Sequence, residues 1–422
     1  MAARVLERVL RDGAFAAAAL DAELSRTPQL DPRDRSLATE IVYGVLRTRR
    51  ALESRLEARA PRGLPDDLRV RTHLLVAAYQ LLLLDRVPPH AAVDCAVSAI
   101  KSVRGEKLSG FANALLRKLA SSEKPSREQA VLENAPRWLL DEMTAAVGAD
   151  EARALLGASE SGAEPLVAIR VVGNAWRRFE WLASAEKGRV SPLSRLVPRG
   201  GSFARRPGYA EGAFVVQEEG AQVVALALGA RPGERVLDAC AGRGQKTTLL
   251  RERVGPDAEL WAADLYAEKL SAQEREMRRL ALVPARTAAV DLSIGTGELP
   301  SGFDRVLVDA PCTGTGTLRH RPEILLRLSP EDPPRLAALS EAILRRAAGL
   351  VRPEGRVVFA VCSVLAAECE AVVDRVSDVL TAAPFDAPEL ESLVPPGESA
   401  LRLSPERHNT DGFYVKSLVR PR

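Results

Sequence analysis

Cysteines are few in this chain of 422 residues, and long apolar runs are missing. The five cysteines, at positions 95, 240, 312, 362 and 369, form no Cys-X-X-Cys pair, which argues against a disulfide framework and a zinc site. No unbroken apolar run comes near the roughly 20 residues that a membrane-spanning helix needs, and the first residues lack the apolar segment of a secretion signal. We therefore expect a cytoplasmic protein without membrane segment or metal, in which a free reactive thiol is possible.

The length and the charge distribution indicate several domains, of which the first is basic. A chain of 422 residues exceeds one ordinary core. Residues 1–120 hold 20 Lys and Arg against 14 Asp and Glu, a net charge of +6, although the whole chain carries only +3. A second basic segment, 174–206, has eight Lys and Arg, two Glu, and four aromatic residues: Trp176, Phe179, Trp181 and Phe203. This mixture suits phosphate neutralisation and base stacking, but a solvated basic loop explains it equally well.

The apolar patterning predicts three domains of different class. Residues 1–124 predict a bundle of five to seven short helices, because apolar residues recur every three or four positions between Pro and Gly interruptions. Residues 125–230 predict a small α+β linker domain, with a helix over 138–147 and a strand over 166–172. From residue 231 to 422, strands over 235–238, 259–264, 305–309 and 356–362 alternate with helices. That alternation predicts an α/β, Rossmann-like domain with a doubly wound, mostly parallel sheet.

The turn after the first strand of the third domain is a candidate cofactor loop. Its glycines let backbone amides approach a ligand closely; the loop consists of Cys240, Ala241, Gly242, Arg243, Gly244, Gln245 and Lys246. It departs from a phosphate-binding loop at Gln245 and from the dinucleotide fingerprint at Thr247. Asp264 ends the second strand, where a carboxylate can bind both ribose hydroxyls of an adenosine cofactor. A dinucleotide oxidoreductase stays an alternative at this point.

Two cysteines follow consecutive strands, Cys312 within Asp-Ala-Pro-Cys and Cys362 at the end of the next strand. If the strands are neighbours, their ends lie about 5 Å apart and both thiols can face one crevice. Methylation of cytosine at C5 needs such a thiol, because thiolate addition to C6 makes C5 nucleophilic toward a sulfonium methyl group. A second group must assist the later elimination, and Asp309 could stabilise charge on the base. A lone buried cysteine would be a small apolar filler, which is what we expect of Cys95 and Cys369.

The second half of the chain resembles the RNA cytosine-C5 methyltransferases of the Sun/NSUN (RsmB/NOP2/NSUN) family. The resemblance lies in the motifs DACAGRGQKTT, AADLYAEKL, DRVLVDAPCTGTGTLRHRPEI, FAVCSV and DGFYV. It implies S-adenosylmethionine as cofactor, Cys362 as nucleophile and Cys312 as the residue that assists product release. It further implies that residues 240–246 wrap the cofactor, Asp264 holds its ribose, Asp291 lies near the adenine, and Asp309 faces the methionine end and the target base.

The chain departs from the motifs of that family at three places. Gly242-Arg243-Gly244-Gln245-Lys246 stands where the family usually has Ala-Pro-Gly-Gly-Lys, so the geometry of the cofactor loop should differ. Val361 replaces the usual threonine before the nucleophile, which affects its positioning more than its reactivity. The third strand usually ends in Gly-Asp-Gly, of which only Asp291 is kept.

The first 120 residues resemble NusB-like RNA-binding domains, through RDRSLATEIVYGVLRTRRALESRL, AYQLLLLDRVPPHAAVDCAV and LSGFANALLRKL. This fusion implies the bacterial branch of the family that acts on cytosine 967 of small-subunit (16S) ribosomal RNA, free or in a partly assembled subunit. A methyltransferase acting on transfer RNA or 23S ribosomal RNA, and a non-catalytic RNA-binding factor, are the alternatives. We expect a monomer with RNA as its partner.

Overall fold

The computed structural model describes residues 1–158, 166–198 and 202–422, and these fall into two compact units. The first unit comprises residues 1–144, 152–158 and Leu318–Leu328. The second comprises Ala145–Glu151 and, among the described residues, 166–198, 202–317 and 329–422. Residues 199–201 of the basic segment lie outside the described residues. The division into three domains at 124/125 and 230/231 stays a prediction.

The first unit is built around a helical bundle, as the sequence predicts. Its helices are α1 (Ala2–Asp12), α2 (Ala16–Ser25), α3 (Pro32–Glu57), α4 (Leu68–Leu83), α5 (Pro89–Arg104), α6 (Glu106–Ala120) and α7 (Arg127–Asn134); α8 (Arg137–Val147) and α9 (Ala149–Leu156) follow. Six of them lie within residues 1–120, but the expectation of short helices is wrong for α3, which has 26 residues. Asp31 caps α3, and Gly44 within it leaves room for the ring of Tyr79, which a Cβ would overlap.

A short segment from the second half of the sequence belongs to the first unit. Leu318–Leu328 contains a 3-10 helix, Pro322–Leu326, and packs among the helices of the bundle. The carbonyl oxygen of Arg319 accepts a hydrogen bond from Arg47 (2.6 Å), and Glu323 accepts one from the amide of Ala16 (3.2 Å). The chain that follows Cys312 therefore returns to the helical unit before it enters the next helix of the second unit.

The second unit holds a small antiparallel sheet in the order β2-β3-β1-β4. The elements are β1 (Leu166–Val171), α10 (Glu180–Ser184), β2 (Glu186–Lys187), β3 (Ser194–Pro198) and β4 (Phe214–Val216). The strand expected over 166–172 is confirmed as β1, whose apolar residues pack in a cluster with Trp181 and Phe214. The rings of these two residues meet edge to face, with centroids 5.3 Å apart.

The main sheet has the order β10-β12-β9-β8-β5-β6-β7, and β11 pairs with β12. The five neighbouring strands β9, β8, β5, β6 and β7 are parallel to one another, whereas β10, β11 and β12 are antiparallel to their partners. The mostly parallel sheet with helices between its strands confirms the prediction of an α/β domain. The helices and strands that build this domain are α11 (Glu219–Ala227), β5 (Val236–Asp238), α12 (Gln245–Val254), β6 (Leu260–Asp264), α13 (Ala267–Arg279), β7 (Arg286–Ala289), β8 (Phe303–Asp309), α14 (Asp332–Leu350), β9 (Val351–Val361), α15 (Glu370–Asp374), β10 (Thr381–Ala382), β11 (Ala400–Leu403), α16 (Pro405–His408) and β12 (Phe413–Val419).

Candidate active site

The two cysteines predicted to share a crevice lie side by side. Strands β8 and β9 are parallel neighbours, with Asp309 opposite Ala360, so the segments that follow them leave the sheet together. The Sγ atoms of Cys312 and Cys362 are 3.5 Å apart. The hydrogen bond of Cys312 to Cys362 and the burial of Cys312 raise the pKa of the Cys312 thiol well above its usual range. Cys312 therefore keeps its proton near neutral pH and can donate it to the sulfur of Cys362.

A pair of glycines brings the two cysteine loops close to each other. The amide of Gly316 donates to the carbonyl oxygen of Cys362 (3.0 Å), and the amide of Gly412 donates to the carbonyl oxygen of Gly316 (2.7 Å). A Cβ on Gly316 would overlap the backbone of Gly412. The Thr-Gly-Thr-Gly and Asp-Gly-Phe motifs therefore have a shared structural reason, namely the close approach of two backbones next to Cys362.

Lys246 and Asp309 form an ion pair at the same edge of the sheet, with Nζ and Oδ2 2.5 Å apart. Burial acts to lower the pKa of Lys246, but the Asp309 carboxylate outweighs it and the pKa is raised. Lys246 therefore stays a cation although it is largely buried. We expected Lys246 in the cofactor loop, and the structure places its ammonium group on Asp309, a residue expected to act on the base.

The glycine loop and Asp264 hold each other. The backbone amide of Gly242 donates to one carboxylate oxygen of Asp264 (2.9 Å), the amide of Tyr266 donates to the other (2.9 Å), and Lys269 lies 3.3 Å away. Gly244, with φ +83°, is the N-cap of α12 and lies beside Gln273, whose side chain a Cβ at this position would overlap. A left-handed turn with no room for a side chain explains why glycine stands at Gly244 in this altered loop.

The remaining predicted cofactor residues differ in their surroundings. Cys240 is partly buried, and burial raises the pKa of its thiol. Arg243 and Gln245 are exposed, and Gln245 donates to the carbonyl oxygen of Val216 (3.1 Å). Asp291 follows β7 and accepts hydrogen bonds from the hydroxyl (2.6 Å) and amide (2.9 Å) of Ser293, which lower its pKa. Within the described residues, Asp291 has no hydrogen bond or ion pair to another predicted site residue.

Sequence reasoning missed Asp238 as a site residue. This carboxylate ends β5 below the glycine loop and accepts a hydrogen bond from the hydroxyl of Thr247 (2.6 Å). Burial raises its pKa to about 7. Its other oxygen, Oδ1, is buried and has no hydrogen-bond partner in the described part of the chain. The signal available in the sequence was the acidic residue at the end of a predicted strand. Only its burial, which the structure shows, distinguishes Asp238 from an exposed acidic residue in a turn.

The other two cysteines are unlike each other. Cys369 is buried, and its Sγ lies 3.5 Å from the carbonyl oxygen of Ser363, which agrees with a small apolar filler. The same expectation is wrong for Cys95, which is exposed on α5, because it falls on the solvent side of that helix. No group of three or more His, Cys, Asp or Glu in the described ranges could hold a metal ion, and none of their helices is both long and apolar enough to cross a bilayer.

Comparisons with known proteins identify the family of the chain. A model of the family described as 16S rRNA methyltransferase RsmB/F matches residues 225–419, and one of the NusB family matches residues 1–121. Ribosomal RNA small subunit methyltransferase B of Klebsiella pneumoniae is 31% identical, over 100% of this chain and 98% of that protein. The chain belongs to the RsmB/F family. A probable small subunit methyltransferase B of Synechocystis is similar to it as well, at 30% identity over 98% and 97% of the two chains.

Solved structures share the fold of this chain, in one case over 99% of its length. The crystal structure of PH0851 matches with a TM-score of 0.84 at 23% identity, over 99% of this chain and 98% of that one. NSun6 from Pyrococcus horikoshii matches with a TM-score of 0.58 at 16% identity, over 68% of this chain and 98% of that one. At such identities the likeness concerns the fold alone.

Proposed function

We propose that this protein transfers the methyl group of S-adenosylmethionine to C5 of cytosine 967 in 16S ribosomal RNA. The observation that carries the proposal is the pair of thiols 3.5 Å apart beyond two neighbouring strands, beside the Lys246–Asp309 ion pair. An oxidoreductase with a dinucleotide cofactor gives no role to these thiols. The membership in the RsmB/F family supports a ribosomal RNA as the substrate.

The residues around the glycine loop fit an adenosine cofactor. A Cβ on Gly242 would meet no atom within 4 Å, so the loop borders open space. Asp264 is fixed beside that space by two backbone amides, as binding of two ribose hydroxyls requires. The unpartnered Oδ1 of Asp238 offers an acceptor for a positively charged group. When bound, S-adenosylmethionine supplies an electrophilic methyl group; Asp291, two strands away from β5, is assigned to the adenine side.

Cys362 and its neighbours perform the first half of the reaction in this proposal. The Cys362 thiolate forms a bond to C6 of cytosine, and the electron pair of the C5–C6 double bond becomes available for methylation at C5. Asp309, oriented by Lys246, accepts a hydrogen bond from the exocyclic amine, and the Lys246 ammonium group beside it offsets the negative charge that the thiolate brings onto the ring. Because the ion pair is largely buried, its effect is stronger than it would be in water.

Cys312 acts in the second half, when the proton on C5 must leave and the C6–sulfur bond must break. The hydrogen bond and the charge of Cys362 are causes of the raised pKa of Cys312. Both disappear once the sulfur of Cys362 is bound to carbon, so Cys312 releases its own proton to solvent more easily at that stage. Its thiolate can then accept the C5 proton, the C5–C6 double bond re-forms, and Cys362 leaves as a thiolate.

The basic segment supplies part of the RNA contact in this proposal, although its aromatic residues are not equivalent. Trp176 is 40% exposed and carries the guanidinium group of Arg177 at 4.9 Å from its ring centroid. The other three, Phe179, Trp181 and Phe203, are partly buried against the core of the small sheet. We therefore assign base stacking to Trp176 and phosphate contacts to the arginines around it.

Bisulfite mapping of ribosomal RNA from cells with and without the gene tests the proposal. We expect one protected cytosine in 16S ribosomal RNA, at position 967, to lose protection when the gene is deleted and to regain it with the wild-type gene but not with Cys362→Ala. Loss of protection only in transfer RNA or 23S ribosomal RNA would assign another substrate, and no change in any RNA would contradict the proposed activity.

A further inference from the structure

Glu368 is a buried carboxylate that the sequence analysis leaves without a role. It is 1% exposed and precedes helix α15. It accepts hydrogen bonds from the amide of Thr313 (2.7 Å), from the hydroxyl of Thr313, and from the hydroxyl of Ser363 (2.5 Å). No Lys, Arg or His of the described chain forms an ion pair with it. Placing an acidic side chain in such a position is costly, which suggests that its three hydrogen bonds serve a purpose.

The partners of Glu368 stand next to the two thiols. Thr313 follows Cys312 in the chain, and Ser363 follows Cys362. The ladder between β8 and β9 ends with the pairing of Asp309 and Ala360, so it cannot by itself fix residues further along. One carboxylate that accepts from both loops adds to the Gly316–Cys362 backbone hydrogen bond in setting their relative position beyond the end of the sheet.

A second hydroxyl extends this connection. The hydroxyl of Thr315 lies 3.0 Å from that of Ser363 and accepts a hydrogen bond from the amide of Val364 (3.2 Å). The amide of Leu365 donates to the hydroxyl of Ser363 (3.2 Å). The polar groups behind the thiols thus form one connected network around Glu368, which rigidifies the site because each of these buried groups has a partner.

We propose that Glu368 is a positioning residue that holds the sulfur atoms of Cys312 and Cys362 at reacting distance. The role rests on the proposed methyl transfer for its use, but the positioning itself can be measured without any reaction on RNA. The carboxylate has a second consequence: its charge adds to the hydrogen bond that Cys312 donates to Cys362 and to burial in raising the pKa of Cys312. It therefore helps to keep Cys312 a thiol until the nucleophile has reacted.

Three variants of the 422-residue chain test the proposal. Glu368→Ala removes all three hydrogen bonds, whereas Glu368→Gln keeps the shape but loses the charge, and the hydroxyls of Thr313 and Ser363 can rotate to accept from its amide. Glu370→Gln is the matched control, because Glu370 lies two residues away and is paired with Arg402 (2.6 Å) instead of the cysteine loops.

The first measurement is the rate of a disulfide between Cys312 and Cys362 with diamide, which takes up the two hydrogens that the thiols lose. Peptide mapping by mass spectrometry identifies the cross-link. We expect Glu368→Ala to slow it roughly tenfold or more, Glu368→Gln to slow it less, and Glu370→Gln to match the wild type. Equal rates in the wild type and both Glu368 variants would overturn the positioning role, whether or not the protein methylates RNA.

The second measurement is single-turnover methylation as a function of pH. We expect Glu368→Ala to lower the rate about a hundredfold, with the affinity for S-adenosylhomocysteine within about twofold of the wild type. Glu368→Gln should shift the limb of the pH profile that reports Cys312 toward lower pH, which loss of packing alone would not do. If Glu368→Ala does not fold, Glu368→Gln decides, and an unchanged cross-linking rate and pH profile would refute the proposal. An inactive wild type with slowed cross-linking in the variants would instead contradict the methyl transfer and leave the positioning role in place.

Discussion

Removal of the Asp264 carboxylate should weaken cofactor binding by an amount that the structure lets us bound. The side chain is 9% exposed, and its oxygens are oriented by the amides of Gly242 and Tyr266. In the proposed complex each oxygen accepts a hydrogen bond from a ribose hydroxyl, worth about 1.5–3 kcal/mol where the acceptor is charged. The two bonds are not additive, since Lys269 at 3.3 Å already screens the charge. We expect Asp264→Ala to weaken binding by roughly tenfold to several hundredfold.

Calorimetric titration with S-adenosylhomocysteine measures this change. Asp264→Asn should fall between the wild type and Asp264→Ala, because its amide oxygen can still accept one hydrogen bond without the charge. Glu274→Ala is a suitable control, since Glu274 and Arg278 form a surface ion pair with each other on α13, the helix that follows Asp264. Unchanged affinity in a folded Asp264→Ala protein would refute the reasoning. Measurable binding of NAD by the wild type would refute the assignment of the cofactor itself.

Three further predictions concern the thiols, the RNA contact and the buried acid. Cys362→Ala should abolish both turnover and the covalent RNA adduct, whereas Cys312→Ala should accumulate a denaturant-stable protein–RNA complex on gels; the opposite pattern would reverse the two roles. Trp176→Ala should cost about 1–3 kcal/mol of RNA affinity and leave the dependence of that affinity on salt concentration unchanged. Arg177→Ala should make the affinity depend less steeply on salt concentration. The same salt dependence in both variants would contradict the assignment of stacking to Trp176 and of phosphate contact to Arg177. The folded protein holds a proton on Asp238, with a pKa of about 7, that the unfolded chain releases near its ordinary value. Asp238 therefore adds stability as pH falls from about 7 toward 4, and Asp238→Asn should remove that rise in urea unfolding curves measured between these pH values.

Deleting the first 124 residues would not be a clean test of RNA binding by the first unit. The segment Leu318–Leu328 packs in the first unit through residues such as Leu326 and the pair Ala16–Glu323. A truncated protein would expose this segment, which follows the Cys312 loop directly. Point substitutions such as Trp176→Ala and Arg177→Ala avoid that loss of packing and test the contact with RNA alone.

Much of the fold could be predicted from the sequence because it depends on local patterns. Alternating strands and helices, with prolines and glycines between them, were enough to indicate the helical unit and the parallel part of the main sheet. The order of motifs also placed Cys312 and Cys362 after consecutive strands. The sequence predicted that the two thiols lie close together if their strands are neighbours. The pairing of β8 with β9 and the distance of 3.5 Å between the sulfur atoms confirm this.

Other features depend on contacts between residues far apart in the chain, and the tertiary structure alone decided them. Glu368 reads as one more acidic residue near the start of a helix until its hydrogen bond to Thr313, 55 residues away, is seen. Asp238 gains its raised pKa mainly from burial and also from the charges of Asp309 and Asp264. Lys246 becomes part of the Asp309 site because its ammonium group reaches the carboxylate at the end of β8. Sequence patterns report the faces and ends of individual elements, whereas burial and charge pairing arise when those elements meet, which is why the chemistry around the thiols emerges only from the assembled sheet.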